Sequence, residues 1–198
     1  MKSRGFTLIE LAVVLAIIAI LAAVLTPMVT TYLEQARVAR AQADLRTISD
    51  SVRLYQRDSG RYPIYDSAGD YTADHAGGKA VIGASGGTGP SDGAGGNSWS
   101  LSSQLATTSL ELYLNNNYSG ISGNSFPKVS FNGPYIPTVD SDPWGNKYLL
   151  TAGNLSRSST NHAYVLSAGP NGTIETPRDV ATGASLTAGG DDLILAIR

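Results

Sequence analysis

Glu10 is the only charged side chain in the run from Phe6 to Leu25, which is otherwise apolar apart from Thr7. An ionised carboxylate held in hydrocarbon costs roughly 2.5 kcal/mol or more, so Glu10 is expected to be protonated, or paired with a cation, where it works. Little else in the chain points to chemistry. The two histidines, His75 and His162, lie in stretches rich in Gly, Ser or Asn. No nucleophile elbow, phosphate loop or zinc-ligand spacing accompanies them, so both read as surface or turn residues. Asp66, Asp70, Asp74 and His75 bring acids together without the regular spacing of a calcium loop, and a solvated loop is expected there. The chain has no cysteine, which excludes disulfides, thiolate metal sites, lipoprotein acylation and a cysteine nucleophile. An enzyme is therefore not expected.

The element that carries Glu10 has the dimensions of a membrane span. The twenty residues from Phe6 to Leu25 rise about 1.5 Å each as a helix, about 30 Å in all, which matches a bilayer core. Lys2 and Arg4 just before it favour holding that end in the cytoplasm and sending the remainder across the membrane. The rival reading is a removable secretory signal peptide cut near Ala22 and Ala23. Glu10 inside the apolar run, and a helical pattern that continues past it, both weigh against removal. Residues 1–59 hold seven Lys/Arg and five Asp/Glu, whereas residues 60–198 hold seven and eleven. That mildly acidic remainder, without a basic run or interleaved aromatics, argues against nucleic acid as the primary ligand.

Pro27 sits inside the helical pattern, where it removes one backbone hydrogen bond and crowds the preceding turn, so a kink or local melt is expected near it. Beyond it Val38, Ala41, Leu45, Ile48, Val52 and Tyr55 alternate at spacings of three and four, one continuous apolar stripe. Arg40 with Asp44, and Arg46 with Asp50, are spaced for ion pairs on the other face. The helix should end at Ser59, because Gly60 can take a left-handed cap and Pro63 blocks continuation. Residues 66–98 contain ten glycines and read as a long loop. Leu101, Leu105, Leu110, Leu112 and Leu114 predict a short helix over 101–114. Period-two alternation in Tyr148 and Leu150, in Tyr164 and Leu166, and in Leu193, Leu195 and Ile197 predicts three strands in a sheet spanning 146–198. A long helix followed by an antiparallel sheet packed on its stripe is an α+β architecture, and 198 residues suffice for one globular head plus an anchor.

The run Gly5, Phe6, Thr7, Leu8, Ile9 and Glu10, continued by LAVVLAIIAILAAVLTP, closely resembles the N-terminus of type IV pilins and pseudopilins. That resemblance implies a pilin-like fold, cleavage after Gly5 by a membrane prepilin peptidase, and N-methylation of Phe6. It also implies that Glu10 pairs with the terminal amine of a neighbouring subunit, and that the helix unwinds near Pro27 as subunits pack. The chain then divides into a leader (1–5), a membrane and filament-core half-helix (6–27), an amphipathic half-helix (28–60) and a head (61–198). The physics agrees, because cutting at Gly5 leaves a cationic amine on Phe6 that can neutralise Glu10 of another copy in an apolar filament core.

In the head, Pro134–Pro137 and the run Asp142, Pro143, Trp144, Gly145, Asn146, Lys147 and Tyr148 resemble the major pseudopilin of type II secretion. Asp142 to Asn146 also read simply as a turn, with Trp144 plugging the sheet edge or core. Ser167, Gly169, Asn171 and Gly172, followed by Asp191 and Asp192, resemble the family's calcium-binding loop, which implies Ca2+ held by Asp191 and Asp192 with Asn171 standing where an aspartate is usual. The intervening residues 173–190 make this loop longer than in compact pseudopilins. The function implied is a filament subunit assembled with minor pilins on an inner-membrane platform: single-pass in the inner membrane, then in a periplasmic pseudopilus. A surface pilin for adhesion, twitching or DNA uptake, and a membrane-anchored binding or enzymatic domain, are the other readings.

Overall fold

The computed structural model describes residues 5–60, 62–63, 81–93, 99, 109–116, 132–156 and 159–198. They fall into two compact units, Met1–Ala39 and Arg40–Arg198. One helix, α1 (Leu8–Ser59), runs from the first unit into the second. It stays helical across Pro27, so of the kink or local melt expected there the isolated chain shows no melt. The hydroxyls of Thr30 and Thr31 both donate to the Pro27 carbonyl, at 2.9 and 3.0 Å, and Thr26 donates to Ala22 O at 2.7 Å. The helix stops where expected: Gly60 takes φ +73°, a left-handed conformation that side chains resist.

In the second unit the expected stripe is the buried one. Ala41, Leu45, Ile48, Val52 and Tyr55 are all buried, while Val38, in the first unit, is only half-buried. Fully burying each larger side chain contributes about 1.5–3 kcal/mol. The charged face differs in one pairing. Arg40 meets Asp44 at 3.7 Å as spaced, but Asp50 pairs with Arg53, at 3.7 Å, instead of with Arg46. Both are partly exposed ion pairs of small energetic weight.

Strand β1 (Ile82–Gly83) forms an antiparallel sheet with three later strands, while β2 (Ser91–Asp92) lies outside it. Helix α2 (Leu110–Asn116) precedes β3 (Leu149–Leu150), a 3-10 turn (Ala152–Leu155), β4 (Tyr164–Ser167), β5 (Thr173–Ile174) and β6 (Leu193–Ala196). The sheet order is β1-β3-β4-β6, and β2 pairs with β5 in parallel as a separate ribbon. Register places Leu150 beside Val165 and Val165 beside Leu195, and likewise Leu149, Leu166 and Ile194 in a row. Because successive side chains point to opposite faces, the first row joins the α1 stripe with Leu110, Tyr113 and Leu114 of α2. The second row packs with Val81, Trp99 and Ile174. The sheet is thus buried on both faces.

Four further expectations need correction. The sheet is not confined to 146–198, because the apolar run Val81, Ile82 and Ala84 within the glycine-rich stretch supplies its β1 edge. Of the loop expected over 66–98, residues 81–93 carry two short strands; residues 66–80, with Asp66, Asp70, Asp74 and His75, and residues 94–98 lie outside the described set. The helix expected over 101–114 is Leu110–Asn116, with Leu101 and Leu105 outside the described residues. Trp144 is half-buried and plugs neither core, and the tryptophan that fills one is Trp99, 2 % exposed, with its indole N–H donating to Thr176 O at 3.0 Å.

Candidate functional site

At the N-terminus Thr7 and Glu10 close on each other. Glu10 Oε2 accepts from the Thr7 backbone N–H at 2.9 Å and from its hydroxyl at 2.8 Å, while the Glu10 N–H donates to Thr7 Oγ1 at 3.3 Å. This reciprocal capping box satisfies two of the N–H groups that begin α1. Its signal, Thr followed three residues later by Glu, stands in the sequence and is a local reason for both residues that the charge argument overlooks. Among the described residues, Glu10 Oε1 takes no part in it and has no partner. The surrounding surface is apolar: Phe6 and Leu8 are 86 % and 87 % exposed, and the large hydrophobics on to Leu33 are also exposed. The N-terminal part of α1 is long and apolar enough to cross a membrane, and none of that window is buried in the molecule. At Gly5 nothing lies within 4 Å of where a Cβ would stand, so packing places no demand for glycine there.

The second cluster lies in the head, around the loop that follows β4. Gly169 (φ +62°) and Gly172 (φ +66°) turn the chain so that the Asn171 N–H donates to Asp191 Oδ2 at 3.0 Å. Asp192, 4 % exposed, accepts at Oδ2 from Glu175 N (2.9 Å), Thr176 N (2.6 Å) and Thr176 Oγ1 (2.6 Å). Burial raises its pKa, against the hydrogen bonds from Thr176 and from the Glu175 amide, which lower it. The other oxygens, Asp191 Oδ1 and Asp192 Oδ1, are buried without a partner among the described residues. Unpaired buried carboxylate oxygens are costly, and a hard cation is one group that satisfies them. Asn171 is exposed, and its side-chain Oδ1 accepts from Thr173 N at 2.6 Å. The structure therefore brings Asn171 to Asp191 through its backbone. No group of three His, Cys, Asp or Glu residues able to hold a metal exists among the described residues.

The Asp142–Asn146 turn is structural. Asp142, 2 % exposed, accepts from Trp144 N (3.1 Å) and Asn146 N (2.8 Å) at Oδ1, and from Ser167 Oγ (2.7 Å) at Oδ2. Gly145 takes φ +95° next to Pro143 and Trp144, which are half-buried. Sequence reasoning missed Glu111 altogether. It accepts from Ser85 N (3.0 Å), Ser85 Oγ (2.9 Å) and Val139 N (3.1 Å), tying β1's flank and the 136–140 segment to α2. His162 is half-buried, with Nε2 3.0 Å from Ala184 O, as befits a turn residue.

Residues 1–26 match the prokaryotic N-terminal methylation motif. The long apolar helix and antiparallel sheet behind that motif resemble the architecture of pilins and pseudopilins. The chain is similar to the type II secretion system core protein G of Escherichia coli K12, at 26 % identity over 90 % of both chains. The Klebsiella pneumoniae core protein G is 24 % identical over 90 % of this chain and 93 % of its own. That of Pseudomonas aeruginosa is 42 % identical over 62 residues, which are 31 % of this chain and 44 % of the relative. No solved structure matches the chain.

Proposed function

We propose that this chain is the major structural subunit of a type II secretion pseudopilus: anchored in the inner membrane, cut after Gly5, methylated at Phe6, and stacked by its helices into a periplasmic filament. The observation that carries this reading is the Glu10 carboxylate, held by Thr7 at one oxygen, open at the other, and set in an apolar helix surface. Cleavage beside it releases a cationic amine on Phe6. A stagger between copies brings that amine to the open Glu10 oxygen, and the pair is stable in an apolar core only because each charge cancels the other. Prepilin peptidase, an assembly platform in the inner membrane and minor pilins are the partners this reading requires, and no catalytic group of the chain takes part. Substituting Glu10→Gln or Glu10→Leu should leave leader removal intact and abolish filaments seen by electron microscopy. Normal filaments from either variant contradict the charge pair, and long fibres on the cell surface in place of periplasmic ones indicate a surface pilin.

The head's cation loop belongs to the same reading. Asp191 and Asp192, with Asn171 beside them, are proposed to hold Ca2+, supported by the two buried carboxylate oxygens that lack a partner. Bound calcium would neutralise these acids and fasten the loop after β4 to the start of β6. Millimolar calcium should raise the chain's melting temperature and a chelator should lower it, by linkage. Identical melts in calcium and chelator eliminate this site.

A further inference from the structure

Asn171, exposed, is followed by half-buried Gly172, an Asn-Gly pair whose side-chain carbonyl is already engaged by a backbone donor. We propose that Asn171 is a site of spontaneous deamidation, which installs a carboxylate on the loop whose backbone is hydrogen-bonded to Asp191.

The reaction needs the Gly172 nitrogen to attack Asn171 Cγ, and three features of the loop favour it. Gly172 has no side chain to obstruct the approach, and at φ +66° it occupies a conformation that glycine holds without steric cost. The Thr173 N–H donates to Asn171 Oδ1 at 2.6 Å. As the carbonyl becomes tetrahedral its negative charge grows on that oxygen, so a donor already in place stabilises the transition state as an oxyanion hole does. Asn171 is exposed, so water reaches the products. Against these, the Gly172 N–H donates to Gly169 O at 3.3 Å, a long bond that must open first.

In the first step Gly172 N loses its proton to solvent base and bonds to Cγ. The Cγ–Nδ2 bond breaks and ammonia leaves, giving a five-membered succinimide. Water then adds to either imide carbonyl and opens the ring to aspartate or isoaspartate at 171. The net change is amide plus water to acid plus ammonia, with no redox partner. Since the Asn171 N–H already donates to Asp191 Oδ2 at 3.0 Å, the new acid stands on the loop hydrogen-bonded to Asp191. Any gain in calcium affinity rests on the cation reading above; the deamidation does not.

The chain carries its own control. Asn132 also precedes a glycine and is exposed, but the residue after Gly133 is Pro134, which has no N–H to donate. Asn154 is buried, with Nδ2 donating to His162 O at 3.0 Å and to Arg178 O at 3.1 Å. The full chain, purified in detergent and aged at neutral pH, should be digested at intervals and mapped by mass spectrometry. The expected result is the mass increment of amide-to-acid exchange at Asn171, several-fold faster than at Asn132, with Asn154 unconverted. In urea the Asn171 advantage over Asn132 should vanish. An Asn171 that stays amide while Asn132 converts, or equal rates at the two sites in the folded chain, overturns the proposal. Should conversion occur while the melts in calcium and in chelator are identical, deamidation stands and the cation reading falls.

Discussion

Buried oxygens in the head separate residues that hold it together from those that merely fit. Asp142 satisfies three donors with two oxygens, so Asp142→Ala strands the turn's N–H groups and the Ser167 hydroxyl together, and should destabilise the head by about 3 kcal/mol. Ser49 Oγ, fully buried on α1, has no partner among the described residues. Ser49→Ala should therefore leave stability unchanged or raise it by about 1 kcal/mol in the same denaturation measurement. Glu111 adds a pH dependence. Burial works to raise its pKa, but the bonds from Ser85 and Val139 outweigh it and hold the carboxyl below the ordinary 4.5. A carboxyl depressed on folding contributes stability that is fully present above its unfolded pKa and is lost as pH falls through the folded value. The melting temperature should fall below pH 4.5 by a component that Glu111→Gln removes, and parallel acid slopes for both proteins would assign the loss elsewhere. Asp142 was legible in sequence as the start of a turn. Its buried partner Ser167 was not, and Glu111 carries no spacing signal at all, because long-range hydrogen bonds leave no local period.

At the scale of elements, α1 does two jobs along one helix that carries on past Pro27. Leu45 and Leu15 are the same residue type on the same helix, yet they are 1 % and 59 % exposed. Leu45→Ala removes packed side-chain volume from the core shared with the sheet and should destabilise the head by about 3 kcal/mol. Leu15→Ala should leave the head's melt unchanged. The helix, its end at Ser59 and its inner stripe were readable because a period near 3.6 and a glycine cap are local signals. The three later strands were readable from alternation, although burial on both faces makes Leu149 and Leu166 as buried as their neighbours. β1 was not, since two residues among glycines are too short for any period to register. Its strand state comes from pairing with Leu149 and Leu150 across a sequence gap. Arg53 joins helix and sheet, donating to Ala196 O at 2.9 Å where β6 ends, a contact no helical spacing implies.

For the whole molecule, the sequence separates the segment proposed to be processed from the part that folds as a head. The head needs a buried stripe, a sheet covered on both faces and turns anchored by buried carboxylates. The methylation motif covers residues 1–26, of which residues 5–26 are exposed in the isolated chain. Thr7 and Glu10 show one pair serving locally as a helix cap while the proposed function gives the same carboxylate a partner in another copy. The cluster around Asp191 and Asp192 was legible only in outline: the two acids were singled out, but the hydrogen bonds from Thr176 to Asp192 and from Thr173 to the Asn171 side chain were not. The most direct measurement is intact mass and fragment mapping of the N-terminus of the protein from its native host. The account predicts a chain that begins at a methylated Phe6; one that still begins at Met1, or is trimmed near Ala23, would contradict it.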